Sequence, residues 1–115
     1  LDAIAATPGL DGIYVGPADL TLSLTGGRLP PGFDREEPEM IAALQRIVAA
    51  CRANGIRAGL HCGTPDYAAR AIGWGFDMTT VGGDSRFLAA AASAAVQGFR
   101  KLTATAGTTG EKGAY

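Results

Sequence analysis

The sequence predicts an α/β fold, a segment of a (β/α)8 TIM barrel made of about three βα units, and three observations lead there. Short apolar runs, each ending in glycine, alternate with stretches of helical periodicity, which is how the strands of a helix-covered parallel sheet read. Only three such runs occur in 115 residues, where a doubly wound sheet of that length would usually have more. A complete barrel needs about 250 residues and eight strands, so three strands are a little under half of one.

Taken in order, Asp2 to Thr7 reads as the end of a helix, and Pro8-Gly9 turns the chain. Residues 11–16 read as a first strand around the β-branched and aromatic run Ile13, Tyr14 and Val15, stopped by Gly16-Pro17. Leu20 to Leu24 reads as a short helical turn, and RLPPGFDREEP, from Arg28 to Pro38, as a polar, proline-bearing surface loop. From Glu39 to Asn54, Met40, Ala43, Leu44, Ile47, Val48 and Cys51 recur at helical spacing, with Gly55 placed as a C-terminal stop. Ile56 to His61 is a second strand. Thr64 is placed as an N-cap with Pro65 at the first helical position, and Asp66 to Gly73 continues as a helix that Gly75 ends. Residues 77–81 form a third strand stopped by Gly82-Gly83, and Asp84 or Ser85 caps an alanine-rich helix through Leu102. The expected division is a partial barrel over residues 1–103 and a flexible tail over 104–115.

Composition narrows the function. With 47% hydrophobic and 18% charged residues, a packed core is expected and wholesale disorder is not. Ten basic against 11 acidic residues leave a net charge of −1, which argues against nucleic acid or a membrane surface as a partner. No stretch is long and apolar enough to span a bilayer, and the first residues, LDAIAATPGL, lack the basic and apolar regions of a signal peptide. Cys51 and Cys62 read as small buried hydrophobes, and a reducing cytoplasmic location is expected. Because the chain begins on Leu, its natural start is expected upstream.

Asp19 stands where the first strand runs out into a loop, the position at which α/β proteins place chemistry. After the Gly16-Pro17 break, the backbone N–H groups of Ala18 and Asp19 are available, so the acid can hold a hard cation while the amides receive the carboxylate of a small anion. The competing reading makes Asp19 the cap of a helical turn that begins at Leu20.

The runs GLDGIYVGPADLTLSLTG, RIVAACRANG and GIRAGLHCGTPDYAARAIGWGFDMTTVGGDSRFLAAAA resemble the C-terminal half of the HpcH/HpaI aldolase family, and the resemblance runs from about Leu10 to Leu102. These are class II, metal-dependent pyruvate aldolases, 4-hydroxy-2-oxoheptanedioate aldolase among them. The resemblance implies a (β/α)8 barrel in which the three strands would be the sixth, seventh and eighth. It also implies a divalent metal (Mg²⁺, Mn²⁺ or Co²⁺) and reversible cleavage of a 4-hydroxy-2-oxo acid to pyruvate and an aldehyde through a metal-stabilised enolate. The family's G-P-A-D-L run matches Gly16, Pro17, Ala18, Asp19 and Leu20: its aspartate, matching Asp19, is a metal ligand, and the amides matching Ala18 and Asp19 hold the pyruvate carboxylate. The small-molecule partners implied are a 2-oxo acid and an aldehyde, with homo-oligomers in the full-length form. The only lysines, Lys101 and Lys112, lie at a helix end and in the tail, which makes imine catalysis improbable.

The family's glutamate ligand, its histidine–aspartate base and its arginine lie on earlier strands, so no catalytic residue of that set is expected in this segment. One aspartate is too few for an ion that prefers six oxygens, and the segment alone is expected neither to bind metal tightly nor to catalyse. His61, the only histidine, departs from a position that is usually apolar in the family and faces the substrate; it is expected to bear on which aldehyde is accepted. Asp84 resembles the aspartate of the family's V-G-x-D stretch and is read as an N-cap or a support for the site, not as a ligand. Trp74 and Phe76 are expected in the core, and Glu36, Glu37 and Glu39 as a solvated helix start. Two other functions compete: an acyl-CoA lyase of the malyl-CoA or citramalyl-CoA type, which the G-P-A-D-L run disfavours, and a non-catalytic fragment or interface module.

Overall fold

Ile13 and Val15 point to one face of a strand and Tyr14 to the other, and that alternation organises the first of two units into which the backbone divides, Leu1–Gly82 and Gly83 onward. The computed structural model describes residues 1–108. The first unit contains α1 (Asp2–Ala5), β1 (Gly12–Val15), α2 (Pro17–Thr25), α3 (Pro38–Ala53), β2 (Arg57–Leu60), α4 (Pro65–Trp74) and β3 (Met78–Thr79). The second is α5 (Asp84–Thr108), a helix that exposes Phe87, Leu88, Val96, Phe99 and Leu102.

The three strands form one parallel sheet in the order β1-β2-β3, with Tyr14 opposite Gly59, Val15 opposite Leu60, and Leu60 opposite Thr79. Sequence neighbours are therefore sheet neighbours, and the two longer intervening helices, α3 and α4, cover the same face. A single apolar cluster joins them there: Val15, Ala58, Leu60 and Cys62 from the sheet side against Leu44, Ile47, Val48 and Cys51 of α3 and Tyr67, Ala68 and Ala71 of α4. The opposite face carries Gly12, Tyr14, Gly59 and Met78, with Tyr14 52% and Met78 55% exposed. An all-parallel sheet is normally covered on both faces; within this unit only one is.

Local rules account for the ends of the elements. Thr64 caps α4 by accepting from the Tyr67 amide, with Pro65 at the first helical position as expected. Gly75 ends that helix at φ 106°, and a Cβ there would collide with the Arg52 guanidinium at 2.0 Å. Both cysteines are free and buried, Phe76 is core, and Trp74 packs partly buried against it.

Several expectations change. Helix α2 begins at Pro17, not Leu20, because proline's missing N–H and preset φ suit the first turn. The third strand shrinks from residues 77–81 to Met78–Thr79, because the Thr80 hydroxyl takes over the ladder: it accepts from the Cys62 amide at 2.8 Å and donates to the Cys62 carbonyl at 3.0 Å. Glu36, Glu37 and Glu39 are ion-paired with Arg70, Arg35 and Arg28 respectively, not merely solvated. Helix α5 continues past Leu102 to Thr108, so the start of the expected tail is helical, and residues 109–115 lie outside the described residues.

Candidate active site

Helix α2 presents its N-terminus directly beyond the C-terminal end of β1. Gly16 is the N-cap, in extended conformation and without a side-chain cap; Pro17 is first in the helix, Ala18 second and Asp19 third. The Leu20 amide donates to the Gly16 carbonyl at 3.0 Å, which leaves the Ala18 and Asp19 amides as the unbonded N–H groups of the turn. Asp19 is exposed, none of the described hydrogen bonds or ion pairs involves its carboxylate, and Oδ2 folds back to 3.4 Å from where a Gly16 Cβ would stand. The capping alternative for Asp19 is thereby corrected, since the cap position belongs to Gly16.

Adjacent to this turn, the C-terminal end of β2 supplies His61. Its amide donates to the Val15 carbonyl at 3.1 Å, so the histidine sits beside the last residue of β1. Its ring, half-buried, lies 2.9 Å from the Tyr14 hydroxyl through Nδ1 and 4.8 Å centroid to centroid from Phe33. Neither partner was singled out in the sequence. A Tyr at the middle of a buried strand and a Phe in a polar loop read as ordinary packing.

Phe33 reaches His61 because the segment between α2 and α3 is tied down. Asp34, at φ 53°, accepts from the Gly63 amide at 2.8 Å and the Thr64 hydroxyl at 2.7 Å. The Tyr67 hydroxyl donates to the Arg35 carbonyl at 2.6 Å, and Arg70, stacked on Tyr67 and Trp74, clamps Glu36 with two bonds of 2.6 and 3.0 Å. Burial, with Glu36 and Asp34 nearby, pushes the Tyr67 phenol up to about 12. Burial likewise raises the Cys62 thiol to about 11, which leaves it unreactive.

Of the residues expected at the site, Gly16, Pro17, Ala18, Asp19 and His61 all lie at the C-terminal ends of two neighbouring strands. Asp84 opens α5 in the other unit, where its carboxylate accepts from the Ser85 amide at 2.7 Å. Among the described residues, no three His, Cys, Asp or Glu side chains gather as a metal-ligand set. The exposed, unpartnered Asp19 carboxylate is a hard oxygen donor that fits a divalent cation as one ligand of several.

A sequence model of the HpcH/HpaI aldolase/citrate lyase family matches residues 1–91. The chain belongs to this family. It is 34% identical over 102 residues to a hydroxypyruvate/pyruvate aldolase of Rhizorhabdus wittichii, covering 89% of this chain and 39% of that protein. It is 40% identical over 84 residues to a 5-keto-4-deoxy-D-glucarate aldolase of Escherichia fergusonii, covering 73% and 31%. A crystal structure of an HpcH/HpaI aldolase/citrate lyase family protein from Burkholderia cenocepacia J2315 superposes with a TM-score of 0.74 at 36% identity, covering 86% of this chain and 37% of that one. The chain thus spans between about three and four tenths of these relatives, and its α/β arrangement matches that of the Burkholderia cenocepacia structure. No helix among the described residues is long and apolar enough to cross a membrane.

Proposed function

We propose that this chain is the C-terminal part of a (β/α)8 barrel that cleaves a 4-hydroxy-2-oxo acid to pyruvate and an aldehyde. The names of the family relatives, a hydroxypyruvate/pyruvate aldolase and a 5-keto-4-deoxy-D-glucarate aldolase, support a carbon–carbon lyase of this kind. The barrel is supported by the singly covered sheet, whose bare face with Tyr14, Gly59 and Met78 is the face that further strands of a closed barrel would enclose.

The observation that carries the reading is the first turn of α2. Its unbonded Ala18 and Asp19 amides point out of the helix N-terminus, where the peptide dipoles favour a negative group, and they suit a pyruvate carboxylate. The Asp19 carboxylate beside them supplies one oxygen ligand for a divalent cation. When bound, that cation would supply positive charge to offset the enolate that develops on pyruvate. The remaining ligands and the base belong, on this reading, to the rest of the barrel. His61 faces the same strand ends and bears on the aldehyde side. Among the described residues Lys101 is the one lysine and lies on α5, so an imine route has no support from the first unit.

The test is Asp19→Asn in the complete protein. Removing one charge while keeping the shape should weaken divalent-metal binding, read by calorimetry, and lower pyruvate release by at least about 10²-fold. Metal affinity and turnover both unchanged in the variant would sink the assignment.

A further inference from the structure

Tyr14 is half-exposed on the uncovered face of the sheet, yet its hydroxyl is held 2.9 Å from a ring nitrogen of His61. The register explains how. Tyr14 lies opposite Gly59, and His61 follows two residues later on the same face of the neighbouring strand, so the tyrosine ring must cross Gly59 to reach it. A Cβ on Gly59 would stand 2.8 Å from Tyr14 Cδ2 and 3.1 Å from Met78 Cε. Glycine therefore opens the path along which the phenol reaches the imidazole. From the loop side, Phe33 packs on the His61 ring at 4.8 Å, so the imidazole is held between an aromatic ring and a hydroxyl. Only Nδ1 is engaged by a described hydrogen bond; Nε2 is left for something else.

We propose that Tyr14 is a positioning residue: its hydroxyl donates to Nδ1 of His61 and so fixes the neutral imidazole as the Nε2–H tautomer, a single oriented donor at the strand ends that hold Asp19. Neutral imidazole has one donor and one acceptor nitrogen, and an O–H donor on one dictates the proton's place on the other. Such a donor recognises an acceptor aldehyde that carries an oxygen next to its carbonyl, a short hydroxyaldehyde, in preference to the alkyl aldehyde of the same size. This rests on the aldolase reading above and names the acceptor class for it.

The experiment compares wild type, Tyr14→Phe, Gly59→Ala and His61→Leu in the complete protein, with glycolaldehyde and propanal as competing acceptors and exchange of the pyruvate methyl protons with deuterated water as the acceptor-free readout. Tyr14→Phe keeps the ring and loses only the hydroxyl. It should lower the glycolaldehyde-to-propanal ratio by about 2- to 13-fold, the range of one hydrogen bond, with proton exchange changing far less. His61→Leu, which removes the donor altogether, should lower the ratio at least as far, and adding Tyr14→Phe to it should change nothing further. Gly59→Ala should act in the same direction by displacing the ring. ¹⁵N NMR of histidine-labelled protein, assigned with His61→Leu, should show a protonated Nε2 and an unprotonated Nδ1 that become a tautomer mixture in Tyr14→Phe, a signature that a merely structural tyrosine would not give. A ratio indifferent to Tyr14→Phe, or a tautomer that the variant leaves in place, overturns the inference while the aldolase reading stands. A wild-type protein that exchanges no pyruvate protons overturns that reading and the acceptor role with it.

Discussion

Replacing Asp34 by alanine removes both bonds that tie the segment between α2 and α3 to the start of α4: the one from the Gly63 amide at 2.8 Å and the one from the Thr64 hydroxyl at 2.7 Å. A hydrogen bond to a charged group is worth about 1.5–3 kcal/mol. Because Gly63 is only half-buried and Thr64 exposed, the lower end applies, and the pair contributes about 3 kcal/mol. Alanine must also adopt φ 53°, a left-handed conformation that aspartate and asparagine tolerate and that adds about 1 kcal/mol for alanine. We expect Asp34→Ala to destabilise by about 4 kcal/mol. Asp34→Asn should cost only about 1 kcal/mol, because an amide keeps an acceptor for Gly63 and tolerates the same φ. Urea unfolding gives the totals, and native-state hydrogen exchange at the Gly63 amide reports whether the loss is local. The alanine variant should also release Phe33 from His61. If both variants fall within about 0.5 kcal/mol of wild type, or the Gly63 amide exchanges no faster in alanine than in asparagine, the clasp does not hold the loop and the reasoning fails.

Two further outcomes test other parts of the structure. Expressed alone, residues 1–115 should associate, because Tyr14 and Met78 on the bare sheet face and Phe87, Leu88, Phe99 and Leu102 on α5 are exposed apolar surface; a monodisperse monomer in sedimentation velocity would contradict the partial-barrel reading. Stability should fall at alkaline pH: the Tyr67 phenol ionises near 10 in an unfolded chain but is held to about 12 by burial, so its contribution is present below pH 10 and is lost between about 10 and 12, and Tyr67→Phe should flatten that part of the unfolding profile.

Much of the first unit was legible in the sequence because its signals are local. The spacing of Met40, Leu44, Ile47 and Cys51 marks the helix that buries them, Thr64-Pro65 announces a capped start, and the Gly16-Pro17 break brings Ala18 and Asp19 to the end of a strand whatever the rest of the fold does. These features depend on φ preferences, side-chain period and missing N–H groups within a few residues. Two of the ends that were misplaced, Pro17 for Leu20 and Thr79 for Val81, show where local signals compete: a proline can open a helix as well as break a strand, and a threonine hydroxyl can replace a backbone ladder. What surrounds His61 was decided only in three dimensions. Tyr14 reaches it across Gly59 because of strand register, 47 positions away in sequence, and Phe33 reaches it because Asp34, Arg35 and Glu36 are pinned to Gly63, Thr64, Tyr67 and Arg70. Each of these side chains satisfies its own local rules in many environments, so the pairing is fixed by which strand lies beside which and where a loop is anchored, and no local preference of Tyr14, Phe33 or Asp34 encodes it.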